Sequence, residues 1–125
     1  MDLNLFIMKK LQEFMLIFRF EPNETYQPTP KEQAEEGKQW GDFIGGIAAQ
    51  AKLVNVYQLG FDGVQLPKNL PQGIHIANQL TLGGTMVIKA SNIEEARSLS
   101  ENCPILTIGG TVEVGIVKEL IIRLG

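Results

Sequence analysis

The sequence contains only one cysteine and one histidine in 125 residues. Because Cys103 has no second cysteine to pair with, no disulfide can form within the chain, and a cytoplasmic location is expected. A free cysteine is usually buried, so we predict that Cys103 is a structural thiol. One histidine and one cysteine without clustered carboxylates do not build a tetrahedral zinc site, and no metal site is predicted.

Long apolar runs and an excess of positive charge are also missing. No apolar run approaches the ~20 residues needed to span a bilayer. The first residues do not resemble a secretory signal, because Lys9 and Lys10 follow the short apolar run instead of preceding it. The formal net charge of −3 gives no general attraction for phosphate backbones or anionic lipids. We therefore expect neither a nucleic-acid partner nor a membrane partner.

The length and the ordinary composition, 44% hydrophobic and 20% charged, predict one globular domain. Residues 1–12 are interpreted as an N-terminal extension and residues 13–125 as the single domain. The domain opens with EFMLIFRF at residues 13–20, which predicts a strand that is apolar on both faces.

A capping box predicts where the first helix begins. Thr29 precedes Glu32 by three residues with Pro30 between them, which is typical of a helix that starts at Pro30. An apolar stripe from Trp40 to Ala51 follows at helical spacing. Four glycines in this helix (Gly37, Gly41, Gly45 and Gly46) favour close packing against another surface over a mobile segment.

The rest of the chain predicts three more strands and a second helix. A further capping box, Ser91 to Glu94, starts that helix near Asn92. The other predicted elements are a strand at 53–60 and 63–66 interrupted by a turn, a loop at 67–79, and strands at 84–90 and 111–117. The resulting order, β-α-β-β-α-β, predicts an α+β ferredoxin-like sheet with both helices on one face.

Such a sheet leaves its second face uncovered, and the first strand is apolar on that face too. A second copy placed sheet against sheet would cover it. We therefore predict a homodimer whose sheet faces enclose a central cavity able to hold a small molecule.

Three segments carry a family resemblance: EFMLIFRFEP, TPKEQAEEGKQWGDFIGGIAAQAKLV and LGGTMVIKASNIEEARSLSENCPILTIGGTVEV. Together they resemble the YCII-related (DGPF) domain proteins over residues 13–117. The resemblance implies a dimeric α+β barrel, similar to muconolactone isomerases and antibiotic-biosynthesis monooxygenases, with a proposed histidine–aspartate pair in the active site.

That pair does not carry over to this chain. Residues 75–84 occupy the place of the family's Asp-Gly-Pro-Phe hairpin and lack its aspartate, proline and phenylalanine. No carboxylate occurs between Asp62 and Glu94, and the family's early histidine has no counterpart. The resemblance therefore implies a retained scaffold with altered or lost chemistry.

Four residues remain as site candidates. His75 is the catalytic candidate, since histidine is the usual acid or base near neutral pH, and the alternative is a solvent-facing loop residue. Ligand-binding candidates are Arg19, Trp40 and Tyr57. Arg19 could bind a carboxylate ligand or pair with Glu113, whereas Trp40 could border a cavity or pack in the core.

Two glycine pairs, at 83–84 and 109–110, precede strands and have no Walker lysine, so they predict turns or close backbone approach instead of phosphate loops. No cofactor is predicted. Three functions stay open: a dimeric module that binds a small molecule, an enzyme of the isomerase or cofactor-free monooxygenase type using His75 or Tyr57 with Arg19, and a structural dimer in a larger assembly.

Overall fold

The computed structural model describes residues 10–23, 25–70 and 73–120. The proposed N-terminal extension, up to residue 9, and residues 121–125 of the C-terminal tail lie outside the described residues. The elements are β1 (Gln12–Phe20), α1 (Pro30–Ala49), β2 (Leu53–Gln58), β3 (Ile76–Ala77), β4 (Leu80–Ala90), α2 (Ile93–Ser100), a 3₁₀ helix (Pro104–Ile108) and β5 (Thr111–Ile116).

Side-chain caps start both helices where the sequence predicts. The Thr29 hydroxyl accepts a hydrogen bond from the Glu32 backbone N–H at 3.1 Å, and the Glu32 carboxylate accepts one from the Thr29 N–H at 3.1 Å. This reciprocal capping box places Pro30 at the start of α1. At α2 the predicted start near Asn92 is confirmed, but the predicted Ser91–Glu94 capping box is wrong. The cap is Asn92, whose side chain accepts from the Glu95 N–H at 2.8 Å, because the first N–H groups of a helix have no partner within it.

The strands form one antiparallel sheet in the order β2-β4-β1-β5, with β3 paired to β4. The α+β class is confirmed, and the arrangement is compatible with a ferredoxin-like fold. The central strands β1 and β4 are the longest, which is why most of the buried side chains come from them.

One predicted strand is shorter, and one predicted loop contains a strand. β2 ends at Gln58, so the predicted continuation at residues 63–66 is wrong. Within the predicted loop, β3 forms a hairpin with β4. Its turn residues Asn78 and Gln79 have φ of 53° and 67°, and two left-handed residues are what a tight two-residue hairpin turn requires.

The hydrophobic core lies between one face of the sheet and the helices. Alternate residues of β1 (Phe14, Leu16 and Phe18) point into it with those of β4 (Met86 and Ile88), and Leu16, Met86 and Ile88 are fully buried. Helix α1 contributes Phe43 and Ile47, and α2 contributes Ala96. The period of two along each strand sends the intervening residues to the opposite face.

The close packing predicted for the glycines of α1 has no counterpart within the described chain. A Cβ built at Gly37, Gly41, Gly45 or Gly46 would meet nothing within 4 Å.

The glycines of the strands and turns differ from those of α1. A Cβ at Gly84 would overlap the Tyr57 carbonyl oxygen, and one at Gly110 would lie 2.6 Å from the Arg19 carbonyl oxygen. Gly109 has a φ of 81°, so the predicted turn and close approaches are confirmed at these positions.

Candidate functional site

The face of the sheet opposite the helices carries a cavity of about 790 Å³. One wall comes from the sheet, from alternate residues of β1 and from Leu82 and Thr85 of β4. The other comes from residues 59–65 and 73–75 of the segment between β2 and β3, which lie over this face. Most lining side chains are apolar, including Met15, Ile17, Leu59, Val64, Leu80 and Leu82. The chain itself therefore covers part of this sheet face.

A β-bulge positions the polar end of β1. Phe18 pairs with Gly84, but the next residue, Arg19, pairs with Leu82, so Gly83 is the extra residue. A Cβ at Gly83 would lie 2.8 Å from the Phe20 ring, so glycine suits the bulge sterically. Bulges re-aim side chains and are common beside active sites. Here Arg19 and Leu82 both line the cavity.

Arg19 makes the ion pair that the sequence offers as one of its two alternatives. Its guanidinium Nη1 donates to Glu113 Oε1 at 3.0 Å. Glu113 pairs with Ile17 in the β1–β5 register and is therefore the diagonal neighbour of Arg19. The side chains are 38% and 62% exposed, so this pair lies at the edge of the cavity, in contact with water.

His75 lines the same cavity from the residue before β3, and Asp62 lines it from the covering segment. His75 is exposed. No hydrogen bond joins it to Asp62 or another carboxylate in the parts of the chain that the structure describes. The geometry therefore brings His75, Asp62 and Arg19 to one cavity but shows no histidine oriented by a carboxylate, as a working base normally is.

The other two ligand-binding candidates lie elsewhere. Tyr57 is 67% exposed on β2 and pairs with Thr85, which lines the cavity, whereas Tyr57 does not. Trp40 lies on the helix side, with its ring edge-on to Phe18 at 5.5 Å and to Phe43 at 6.1 Å between centroids. It packs against the core, which is the alternative that the sequence offered for it.

Sequence reasoning missed the covering segment. Its apolar residues Leu59, Val64 and Leu66 suggested a strand, yet all three are exposed by 50–76%. Pro67 and three glycines (Gly60, Gly63 and Gly73) were the signal against a strand, because they suit irregular backbone. The Phe61 ring packs 6.1 Å from that of Phe20 between centroids, which ties this segment to the end of β1.

A second, smaller cavity of about 490 Å³ lies between α1 and α2 on the other side of the sheet. Phe43, Ile47 and Leu99 supply apolar side chains to it, and Gln39 and Asn102 supply amides. It holds none of the residues predicted for a site.

Cys103 is buried, as the sequence predicts, and burial raises the pKa of its thiol. A raised pKa leaves little thiolate near neutral pH, so nothing favours Cys103 as a nucleophile. The described residues include no group of three or more His, Cys, Asp or Glu side chains that could hold a metal ion.

No protein-family model matches the chain, and no curated protein matches it significantly. Over the described residues, none of the helices has the length and apolar content needed to cross a membrane.

Proposed function

We propose that this chain is a small-molecule-binding module of the YCII-related type that works without that family's histidine–aspartate pair. The observation that carries the proposal is the cavity of about 790 Å³ over the open sheet face. Small-molecule sites typically measure ~300–1,000 Å³, with mostly apolar walls and a few polar groups that orient the ligand. Here the polar side chains are Arg19, Asp62, Gln65, His75, Asn78, Thr81 and Thr85. The single buried thiol supports a cytoplasmic location.

A cavity-blocking variant tests the proposal. Thr85→Trp places an indole among the lining residues and should abolish saturable binding of 8-anilinonaphthalene-1-sulfonate, measured by its fluorescence. Gln39→Trp adds the same side chain to the α1–α2 cavity and should leave binding unchanged. Equal binding by both variants, with unfolding curves like that of the parent protein, would place the probe elsewhere and contradict the proposal.

We also propose that the module is a homodimer formed through the open side of its sheet. The support is exposed apolar side chains on that side: Leu59 and Val64 line the cavity and Tyr57 pairs with the cavity-lining Thr85, and the three are 50%, 75% and 67% exposed. Neighbouring apolar side chains left in water are typical of a surface that a partner covers.

Light scattering after size-exclusion chromatography at micromolar concentration should give about twice 13.8 kDa. Val64→Glu should shift the mass toward the monomer because it puts a charge into the proposed interface. Leu120→Glu is the matched control, since Leu120 is similarly exposed (81% against 75%) but lies beyond β5. A 13.8 kDa species for the parent protein would exclude the dimer.

A barrel enzyme of the isomerase or cofactor-free monooxygenase type is the second candidate. Its specific support is that His75, Asp62 and Arg19 line one cavity. Turnover of a small enol lactone or a hydroquinone that stops in His75→Gln would favour the enzyme, and turnover that persists in this variant would exclude His75 from the chemistry. The third alternative is a purely structural dimer. Its interface would enclose the cavity over the sheet, and an enclosed cavity favours a binding module over a dimer without a ligand.

A further inference from the structure

Arg19 is the one lysine or arginine among the described residues that line the cavity over the sheet. A guanidinium has five N–H donors in a planar fork that matches a carboxylate. Among the residues that the structure describes, it uses Nη1 alone, in the contact with Glu113 at 3.0 Å. The bulge at Gly83 holds the backbone of Arg19 opposite Leu82, so the cation is attached next to an apolar wall.

The partner of this guanidinium is easy to displace. Ion pairs that are exposed to water contribute little to stability, because solvent screens the charges and both side chains lose freedom. The Glu113 side chain is 62% exposed and is not among those that line the cavity. It can therefore turn into solvent at small cost while Arg19 stays at the cavity.

We propose that the cavity takes ligands in which a carboxylate is joined to an apolar body, and that Glu113 occupies Arg19 until the ligand carboxylate replaces it. This rests on the proposed function of the cavity as a small-molecule site. Ligand binding then exchanges one Arg19–carboxylate contact for another, while the apolar body gains contact with Met15, Ile17 and Leu82.

The other ionisable groups at the cavity, Asp62 and His75, are exposed, and water and salt screen them more than the partly buried Arg19. Asp62 repels an anion and attracts a cation, so an ammonium head group is the direct competitor to this assignment. The test therefore compares head groups at constant chain length.

Octanoate, octan-1-ol and octylamine are titrated into the full-length protein by calorimetry at pH 7. We expect octanoate to bind about tenfold tighter than octan-1-ol. Glu113→Gln removes the internal competitor and should tighten octanoate binding several-fold without changing octan-1-ol. Arg19→Gln should abolish the preference for octanoate while octan-1-ol still binds.

Glu13→Gln is the matched control. Like Glu113→Gln, it removes one carboxylate. Glu13 lies on the face of β1 that carries Arg19, six residues or about 20 Å away along the strand, so its replacement should leave all three affinities unchanged. Octanoate and octan-1-ol binding equally, or octylamine binding tightest, would overturn the role of Arg19 but keep the binding module. Absence of binding by all three compounds would remove the binding module and this assignment together.

Discussion

Replacing Leu16 with alanine should lower the free energy of unfolding by about 2–5 kcal/mol, the range found when a buried leucine is truncated. Leu16 is completely buried, at the centre of β1 between the sheet and the helices. Truncation loses its contacts with the core and leaves a void that close-packed neighbours fill only in part. Urea unfolding followed by circular dichroism measures the change.

Ile17→Ala is the matched control for this variant. Ile17 is the next residue of the same strand, but it faces the cavity and is only partly buried. Its truncation should lower the free energy of unfolding by less than half as much as Leu16→Ala, since the removed methyl groups border space that is already open. Equal losses for the two variants would mean that the second face of the sheet is packed as tightly as the first, and the cavity would not exist in solution.

Gly84→Ala should be the second strongly destabilising change. It should lower the free energy of unfolding by about 1–3 kcal/mol, the usual cost of forcing extra atoms into a packed site. The added methyl would overlap the carbonyl oxygen of Tyr57, a backbone atom that cannot turn away as a side-chain end can. Relief requires β2 to move away from β4, which weakens the pairing of Gln58 with Gly84.

Gly115→Ala separates this clash from the general effect of placing alanine in a strand. Gly115 lies in β5, and a Cβ there would meet nothing within 4 Å. Its substitution should be neutral or slightly stabilising, because alanine loses less backbone freedom on folding than glycine. If both variants were equally stable in thermal unfolding, β2 would not approach Gly84 as closely as the structure shows.

Local signals in the sequence predicted most of the scaffold. The capping box at Thr29 and the side-chain cap at Asn92 are short-range chemistry, so they fix the start of each helix whatever packs around it. The alternation of Phe14, Leu16 and Phe18 with Met15 and Ile17 likewise shows two apolar faces of β1 directly. Which face receives the helices depends on contacts distant in sequence, and the pattern alone does not decide it.

The candidate site was less predictable because it depends on tertiary placement. Arg19 reaches the cavity through a bulge that is visible only when β1 is paired with β4. Residues 60–66 have the apolar content of a strand but belong to none of the strands of the sheet. Trp40 fits a cavity border and the core equally well from its place on the α1 stripe, and its contacts with Phe18 and Phe43 favour the core.

The central claim, that the cavity over the open sheet face is the binding site, is tested most directly by amide chemical shifts of ¹⁵N-labelled protein during titration with octanoate. Saturable shifts are expected at Ile17, Arg19, Leu82 and Thr85, with none at the α1–α2 cavity. Shifts centred instead on Phe43, Ile47 and Leu99, or spread without saturation over the whole surface, would contradict it.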